Sequence, residues 1–282
     1  MIVIRGIKPM SDIARRAREK EKQIGYVATM GALHQGHLSL ILQARKDNDL
    51  VVVSIFVNPS QFGPQDDFKR YPRPINKDIA LCRKAGVDFV FYPQANAMYP
   101  EGFKTYVEVK DLSSLLCAKS RPRHFYGVTT VVAKLFNIIQ PDLTYFGQKD
   151  AQQAVIIKKM SEDLNFPVQI KVMPTLREKD GLAISSRNIY LNRQERTDAI
   201  CLSQGLNLSG DLIKCGMRDA GKITAEVKRL IKKRKGVRID YVAIVDLNNL
   251  KPVRRISAKC LLALAVYIGR TRLIDNAILE NA

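Results

Sequence analysis

Apolar runs and amphipathic helical stretches alternate along the first two thirds of the chain. The most distinctive run is Leu50-Val-Val-Val-Ser-Ile-Phe-Val57, in which β-branched residues follow one another without polar alternation. Such a run is typical of a strand buried on both faces of a parallel sheet. Further strands are predicted at residues 26–29, 88–92, 107–109, 143–146 and 168–172, and helices at residues 8–22, from about 34, at 78–85, 128–139 and from 150. This alternation predicts an α/β fold with a parallel sheet.

The pattern changes in the polar segment over residues 175–188, which has the composition of a hinge loop. Beyond it, helical patterns over residues 193–214 and 223–233 precede β patterns at residues 237–245, 261–268 and 270–277. Helices and strands that are segregated in this way are typical of a small α+β domain. We therefore expect two domains, residues 1–176 and residues 177–282.

One predicted strand leads into a helix through a turn that contains glycines and two histidines. It reads Tyr26-Val-Ala-Thr-Met-Gly-Ala-Leu-His-Gln-Gly-His-Leu-Ser39. Gly31 and Gly36 allow the backbone to bend and to approach a ligand, and a helix that begins near His34 directs N–H groups towards an anion such as a phosphate chain. His34 and His37 are three residues apart, so both reach the same side of the first helical turn. Three other interpretations are a degenerate P-loop with His37 in place of its lysine, a metal-binding histidine pair, and two histidines without a role on a helix face.

Polar side chains also follow two other predicted strands. Asn58 and Gln61 come after the β-branched run, and Gly147, Lys149 and Asp150 come after a later strand. The carboxyl ends of parallel strands form the crevice in which open α/β sheets bind ligands. These positions are therefore candidates for a binding site, although the segment from Asn58 to Gln61 alone also fits an ordinary polar loop.

The composition limits the class of protein. The chain has 282 residues, of which 46% are hydrophobic and 26% are charged, a balance typical of globular proteins. No apolar run approaches the roughly 18 to 20 residues of a membrane span, and the start Met1-Ile-Val-Ile-Arg-Gly lacks the features of a signal peptide. The five cysteines are odd in number and have no metal-binding spacing, which predicts reduced thiols. We expect a cytoplasmic protein without a membrane partner.

The net charge of +19 brings a nucleic-acid-binding function into consideration. The densest basic run, Lys228-Arg-Leu-Ile-Lys-Lys-Arg-Lys235, lies in a helical pattern and has no aromatic residues between its charges for base stacking. A solvated helix face explains this run better than a nucleic-acid site does. The excess positive charge is also suited to attracting anionic substrates.

The H-x-G-H motif resembles the phosphate-binding signature of the nucleotidylyltransferase superfamily. Its flanking residues Thr29-Met-Gly31 and Leu38-Ser39, and the motifs up to about residue 190, are similar to those of the pantothenate synthetase (pantoate–β-alanine ligase) family. This resemblance implies a Rossmann-like parallel-sheet nucleotidylyltransferase domain with a smaller C-terminal α+β lid domain. It also implies ATP-dependent condensation of (R)-pantoate with β-alanine to pantothenate, through a pantoyl adenylate and with release of AMP and pyrophosphate. The implied partners are these substrates, Mg²⁺ bound through the ATP phosphates and a second copy in a homodimer, with no nucleic acid.

The resemblance also implies roles for individual residues. Around ATP it implies Met30, Gly31, His34, His37, Gly147, Lys149, Asp150, Ser185, Ser186 and Arg187, with Asp150 at the ribose. For pantoate it implies Asn58, Gln61, Gln153 and Arg121. For catalysis it implies His34, His37, Lys149, Arg187 and His124, and it implies no residue as a metal ligand.

The residue types suit attack of a carboxylate on the α-phosphorus of ATP. This step crowds negative charge at phosphorus and on the departing pyrophosphate, so it needs cations and hydrogen-bond donors rather than a protein nucleophile. Two other classes of protein remain open from the residues. One is a nucleotidylyltransferase that makes a dinucleotide cofactor, which has no use for Asn58, Gln61 and Gln153; the other is a nucleic-acid-binding module.

Four residues depart from the pattern of the family. Arg123 stands where glycine is usual in R-P-G-H-F, and Lys179 stands where proline is usual. Ile184 replaces the methionine of M-S-S-R-N, and Gln148 stands where the family often has glutamate. A left-handed backbone at Arg123 would be strained. None of the four removes a group with a chemical role, so they bear on loop shape rather than on the reaction.

Overall fold

The structure is a computed structural model that describes residues 1–64 and 66–280 of the chain. The chain divides into two compact units. The first consists of residues 1–113, 121–147 and 156–174, and the second consists of residues 114–120, 148–155 and the chain from Thr175 onward. The domain boundary expected after residue 176 stays a prediction.

A parallel sheet of six strands forms the centre of the first unit. Its strands are β1 (Ile2–Ile4), β2 (Ile24–Thr29), β3 (Leu50–Ile55), β4 (Phe89–Phe91), β5 (Leu143–Gly147) and β6 (Gln169–Met173). Their spatial order is β1-β4-β3-β2-β5-β6, so the chain runs from β2 towards one edge and then returns to β5 on the other side of β2. The carboxyl ends of β2 and β5 therefore form a topological switch point, where open α/β sheets bind their ligands.

The helices form because their sequences present apolar faces that the folded chain can bury. They are α1 (Ile7–Glu19), α2 (Gln35–Asp47), α3 (Ile75–Lys84), α4 (Ala95–Met98), α5 (His124–Ile139), α6 (Ala151–Asp163), α7 (Arg193–Ala199), α8 (Cys201–Lys214) and α9 (Ala220–Lys232). In the first unit, α2 buries Ile41 and Ala44 in one cluster with Val51 and Val53 of β3. Within the described residues, no helix has both the length and the apolar content needed to cross a membrane.

An antiparallel sheet forms the centre of the second unit. Its strands, in spatial order, are β7 (Val237–Asp246), β8 (Cys260–Ile268) and β9 (Thr271–Leu279). The central strand β8 is buried along nearly its whole length, and its Leu262 and Leu264 share a hydrophobic cluster with Ile223 and Val227 of α9. The predicted class, a parallel α/β sheet with a smaller α+β part, is confirmed.

Several elements differ from the predicted ones, and three of them have a clear physical reason. Residues 107–109 do not form the predicted strand, because side chains of α5 hold them: the N–H of Val107 donates to Thr130 Oγ1 at 3.0 Å, and Thr129 Oγ1 donates to Val107 O at 2.5 Å. The single helix predicted over residues 193–214 is divided at Ile200 into α7 and α8. The edge strand β1 has no predicted counterpart, since a strand of three residues is too short to show a periodicity.

Candidate functional site

The turn between β2 and α2 has a backbone conformation that few residues adopt. Gly31 and Ala32 have φ angles of +83° and +51°. The N–H groups of Ala32 and Leu33 donate to the two carboxylate oxygens of Asp78, each at 2.8 Å. This carboxylate comes from the first turn of α3, and Asp78 is only 1% exposed. Burial raises the pKa of the Asp78 carboxyl, although the two backbone hydrogen bonds oppose that change. Asp78 therefore holds the turn that leads into the histidine motif.

His34 and His37 lie side by side at the start of α2. Their rings stack with centroids 4.0 Å apart and an angle of 27° between the planes. The N–H of His34 donates to Nδ1 of His37 at 3.3 Å. Since Nδ1 accepts this bond, a neutral His37 carries its proton on Nε2, which is then a hydrogen-bond donor. A Cβ at Gly36 would lie 3.0 Å from ring atoms of His34, so the small residue between the histidines leaves room for the stack.

Asn58 is the centre of a hydrogen-bond network after β3. Its Oδ1 accepts bonds from the hydroxyl groups of Ser60 and Tyr99, both at 2.8 Å. Its Nδ2 donates to the carbonyl of Gly127 at 3.0 Å and to Oε1 of Gln61 at 3.1 Å. Asn58 is buried, and these bonds engage both ends of its amide. The network therefore fixes the side chain of Gln61.

Gln61 connects the segments that follow β2 and β3. Its Nε2 donates to Sδ of Met30 at 3.0 Å. Helix α5 approaches the same turn so closely that a Cβ at Gly127 would lie 2.4 Å from the carbonyl carbon of Ser60. A side chain at residue 127 would therefore displace the backbone that carries Gln61.

Arg121 and His124 form a chain of contacts with the same turn. Nδ1 of His124 lies 2.8 Å from the carbonyl oxygen of Gln61, and Nε2 lies 3.2 Å from NH1 of Arg121. A carbonyl only accepts and a guanidinium only donates, so His124 is a neutral ring with its proton on Nδ1. Arg121 also donates to Asp66 Oδ2 at 3.0 Å. Burial raises the pKa of Asp66, but hydrogen bonds from Arg121 and from the N–H of Gly63 outweigh it and hold that pKa below its usual value.

A cavity of about 290 Å³ lies at the carboxyl ends of the strands of the first unit. Met30 and Gly31 line it on one side, together with the carboxylate-bearing Asp78. Arg5 and Arg73 also line it and give it positive charge. The turn before the histidine motif therefore borders a space that can receive part of an anionic ligand.

Lys149 and Asp150 belong to the second unit, in a 3₁₀ turn that spans Gln148–Asp150. Nζ of Lys149 lies 3.8 Å from Oδ2 of Asp150. The side chain of Asn276, on β9, donates to the carbonyls of Gln148 and Lys149, each at 2.9 Å. Gln153 follows in the first turn of α6.

Ser185, Ser186 and Arg187 also belong to the second unit. Oγ of Ser185 accepts the N–H of Arg187 at 3.3 Å and caps the 3₁₀ turn Ser186–Tyr190. Asn188 Nδ2 donates to the carbonyl of Ala183 at 3.1 Å, which closes the loop on itself.

The predicted site residues thus form two groups. In the first unit, direct contacts join Met30, Asn58 and Gln61, join Arg121 and His124, and join the two histidines of α2, while Gly147 ends β5. In the second unit are Lys149, Asp150, Gln153, Ser185, Ser186 and Arg187.

Sequence reasoning missed several residues that hold these groups. Asp78, Tyr99 and Asn276 each bond to a predicted site residue or to its turn, yet they come from distant parts of the chain. Asp78 and Asn276 are polar residues at buried positions of a helix and a strand. A polar residue on the apolar face of a predicted element is the signal that could have found them.

Comparisons with known proteins cover nearly the whole chain and agree with one another. The family model described as pantoate-beta-alanine ligase matches residues 2–278. The pantothenate synthetase of Moorella thermoacetica is 53% identical over 280 residues, which cover 99% of this chain and 99% of that protein. The pantothenate synthetase of Caldicellulosiruptor saccharolyticus is 50% identical over 280 residues, which cover 99% of this chain and 100% of that protein.

Solved structures give the same result. The crystal structure of pantothenate synthetase from Thermus thermophilus has a TM-score of 0.93 and 41% identity, and covers 98% of this chain and 99% of that one. The crystal structure of pantoate-beta-alanine ligase from Francisella tularensis, complexed with beta-gamma ATP and beta-alanine, has a TM-score of 0.81 and 35% identity, and covers 99% of this chain and 97% of that one. The chain therefore belongs to the pantoate–beta-alanine ligase family.

Proposed function

We propose that this protein condenses (R)-pantoate with β-alanine to form pantothenate, using ATP and releasing AMP and pyrophosphate. The observation that carries the proposal is the pair His34 and His37, stacked 4.0 Å apart at the start of α2, in a chain that belongs to this ligase family. Two imidazoles at the beginning of a helix, after a turn held in a left-handed conformation, suit the binding of a phosphate chain.

In the first step, a carboxylate oxygen of pantoate attacks the α-phosphorus of ATP and the bond to pyrophosphate breaks. Nε2 of His37 donates a hydrogen bond to the phosphate chain, since its Nδ1 accepts the N–H of His34. His34, Lys149 and Arg187 supply further donors or positive charge. These groups stabilise the charge that develops in the transition state, which is the main contribution an enzyme makes to this kind of reaction.

Pantoate is recognised by neutral amide groups. Gln61 contacts the substrate, and Asn58 holds Gln61 through the bond between Nδ2 and Oε1 at 3.1 Å. Gln153 supplies another amide group, and Arg121 adds a guanidinium that is suited to an anionic oxygen. An acid without the hydroxyl group would leave these amide groups of the site without a hydrogen-bond partner, which lowers its binding and gives the enzyme its preference for a hydroxy acid.

In the second step, the amine of β-alanine attacks the carbonyl carbon of the pantoyl adenylate. An amide bond forms, the bond to the AMP oxygen breaks, and the amine loses a proton to solvent. This step depends mainly on orientation and on the exclusion of water. His124 acts here by fixing Arg121, because Nε2 of His124 faces the guanidinium at 3.2 Å.

Mg²⁺ enters this scheme bound to the phosphates of ATP. In the part of the chain that the structure describes, no group of three or more His, Cys, Asp or Glu residues could hold a metal ion. Mg²⁺ commonly keeps phosphate oxygens and water as most of its ligands, so it would be held chiefly by the nucleotide and would neutralise part of the charge of the phosphates. We further propose that the protein is a cytoplasmic homodimer, as the family resemblance implies.

Isotope transfer tests the proposed reaction. Pantoate labelled with ¹⁸O in its carboxylate is incubated with ATP, Mg²⁺, β-alanine and the enzyme, and the products are analysed by mass spectrometry. The expected result is one labelled oxygen in AMP and none in inorganic phosphate. In a separate reaction without β-alanine, pyrophosphate should also form, in an amount comparable to that of the enzyme.

Other products would overturn the proposal in different ways. Formation of ADP and labelled phosphate would mean attack on the γ-phosphorus and an acyl phosphate intermediate. ATP–pyrophosphate exchange with a panel of acids tests the substrate at the same time. Exchange that depends on a phosphate ester instead of pantoate would indicate a nucleotidylyltransferase that makes a dinucleotide.

A further inference from the structure

β9 carries two adjacent buried polar residues, Asp275 and Asn276. They are 1% and 6% exposed, in a strand whose Leu273 and Leu279 belong to the hydrophobic cluster of the second unit. Successive residues of a strand point to opposite faces of the sheet, so these two side chains reach different segments. Buried polar groups persist in folded proteins when they are hydrogen-bonded, and each of them binds a segment that carries predicted ATP ligands.

Asn276 binds the turn that carries Lys149. Its Nδ2 donates to the carbonyls of Gln148 and Lys149, each at 2.9 Å, and its Oδ1 accepts from Nε2 of Gln148 at 3.0 Å. The whole amide is therefore used to hold Gln148–Asp150 against β9. A side chain that fixes two successive carbonyls also fixes the direction in which the Lys149 side chain leaves the backbone.

Asp275 binds the start of the loop that carries the serines and Arg187. NH1 of Arg177 donates to Oδ2 of Asp275 at 2.6 Å, and NH2 donates to Oδ1 at 3.0 Å. The same NH1 group donates to the carbonyl of Gly181 at 3.0 Å. A buried carboxylate needs such a partner, and this partner fixes the bend of the loop at Gly181.

The bend is connected to Ser185 by short-range bonds. Residues Arg177 and Ala183 pair as an isolated antiparallel bridge. The side chain of Asn188 then donates to the carbonyl of Ala183 at 3.1 Å and to Oε1 of Glu178 at 2.8 Å. The loop between these bonds contains residues 184–187, so its shape depends on the anchor at Asp275.

We infer that Asp275 and Asn276 are positioning residues. Together they anchor two ATP-binding segments of the second unit to the same strand, β9. Asn276 orients Lys149, and Asp275 orients the loop with Ser185, Ser186 and Arg187. The inference rests on the proposed function, because it takes these groups to be ligands of ATP. Displacement of a reacting group by about 1 Å can lower a rate about 100-fold, so the anchors matter for the adenylation step although they do not touch the substrates.

The test compares two buried asparagines. Asn276→Ala removes an amide that donates to two acceptors, and Asn48→Ala is the matched control. Asn48 is 8% exposed, and its Nδ2 also donates to two acceptors, the carbonyl of Ala44 and the hydroxyl of Tyr145, both at 2.8 Å. It is part of the first unit and lies outside the predicted site. Asn276→Ser is made as well, because it keeps a hydroxyl donor and disturbs the packing less.

ATP–pyrophosphate exchange with pantoate is measured for each variant, alone and combined with Lys149→Ala. We expect Asn276→Ala to lower kcat/KM for ATP on the order of tenfold, with KM for pantoate within about twofold. In the Lys149→Ala background the same substitution should change kcat/KM by less than about twofold, since coupled residues are not additive. Asn48→Ala should leave kcat/KM within about twofold in both backgrounds, although its melting temperature falls.

Each other result has a definite meaning. An equal loss from Asn276→Ala in the wild-type and Lys149→Ala backgrounds overturns the inference, and so does a normal kcat/KM for ATP in a folded Asn276→Ala variant. Asn276→Ser should keep more activity than Asn276→Ala, because its hydroxyl can still donate to one of the two carbonyls. If the wild-type protein itself shows no exchange with pantoate, the proposed function fails. If it shows exchange and Lys149→Ala has no effect, the assignment of Lys149 fails while the function stands.

Discussion

The histidine pair at the start of α2 has both a structural and a chemical role. At the start of a helix the residue three places after the cap is often Glu or Gln, whose side chain bonds back to the N–H of the cap residue. His37 takes this position, and its Nδ1 accepts the N–H of His34. A glutamate could do the same but would bring a negative charge towards a phosphate. Histidine satisfies the helix end and still provides a donor on its other nitrogen.

This geometry predicts an order among substitutions of His37. An amide nitrogen of glutamine overlaps the position of Nε2, whereas that of asparagine overlaps Nδ1. We expect His37→Ala to lower kcat/KM for ATP on the order of 100-fold, as the loss of one transition-state donor does. His37→Gln should retain about tenfold more activity than His37→Asn. Exchange kinetics together with melting temperatures measure this, and equal activity of the Asn and Gln variants would contradict the role of Nε2.

Arg123 has the left-handed conformation that its position in the motif leads us to expect. Its φ is +66°, and it directly precedes α5. A residue with a Cβ is less stable there than glycine by about 1 kcal/mol. The guanidinium lies 5.3 Å from the ring centroid of Tyr126, so the side chain rests on a neighbour in the same segment.

Replacing Arg123 separates the backbone from the charge. Arg123→Gly should keep activity within about fivefold and raise the melting temperature slightly, because it relieves the strain. Arg123→Ala keeps the strain and removes the guanidinium, so it serves as the control. A loss of activity well beyond fivefold in both variants, measured as kcat/KM for each substrate, would mean that this guanidinium takes part in the site.

At the scale of secondary-structure elements, the sequence predicts those helices and strands that local periodicity determines. β3 is a run of β-branched residues buried on both faces, and α2 begins next to His34, as its pattern predicts. Tertiary contacts decide the rest. Residues 107–109 have a strand-like composition but bond to threonines of α5, and no local pattern contains that information.

The same limit applies to the candidate site. Motif residues such as His34 and Gln61 can be found from the sequence, because glycine, histidine and amide residues follow predicted strands. The residues that hold them cannot, because Asp78 lies 46 positions from Ala32 in the chain and Asn276 lies 127 positions from Lys149. Their roles depend on which elements become neighbours, and strand order is not encoded in a local pattern.

Asp78 permits a test at this scale. The carboxylate accepts two backbone N–H groups of the turn between β2 and α2, and a Cβ at Gly31 would lie 3.0 Å from its Oδ2. Asp78→Asn keeps the volume but has only one oxygen, so one N–H of the turn loses its acceptor. We expect kcat/KM for ATP to fall about tenfold or more, because the histidines follow this turn directly.

The control is a similar bond at the other end of the same strand. Asp142 Oδ2 accepts the N–H of Ile24 at 2.7 Å, where β2 begins. Asp142→Asn should lower the melting temperature, while kcat/KM for ATP stays within about twofold. If the two variants lose activity to the same extent, Asp78 stabilises the fold and has no particular link to the histidine motif.

At the scale of the whole molecule, the excess of positive charge is the most general feature. The chain has 46 Lys and Arg residues against 27 Asp and Glu residues. Both substrates of the proposed first step are anions, and a net field of opposite sign increases their rate of encounter with a site. Such a field extends over about one Debye length, roughly 8 to 10 Å at ordinary ionic strength, so its effect depends on salt.

A salt series tests this interpretation. Between about 20 mM and about 200 mM salt, where the Debye length shortens severalfold, kcat/KM for ATP should fall about threefold or more. KM for β-alanine, a zwitterion without net charge, should change little.

The informative variant replaces Lys232, Lys233 and Lys235 by glutamate; all three are exposed and outside the predicted site. If the field of the whole molecule attracts ATP, this variant has a lower kcat/KM at low salt and a weaker dependence on salt, with an unchanged kcat. If its salt dependence equals that of the wild type, only charges within the site act on the substrate. The basic run would then need another explanation, which a salt-dependent gel shift with duplex DNA can examine directly.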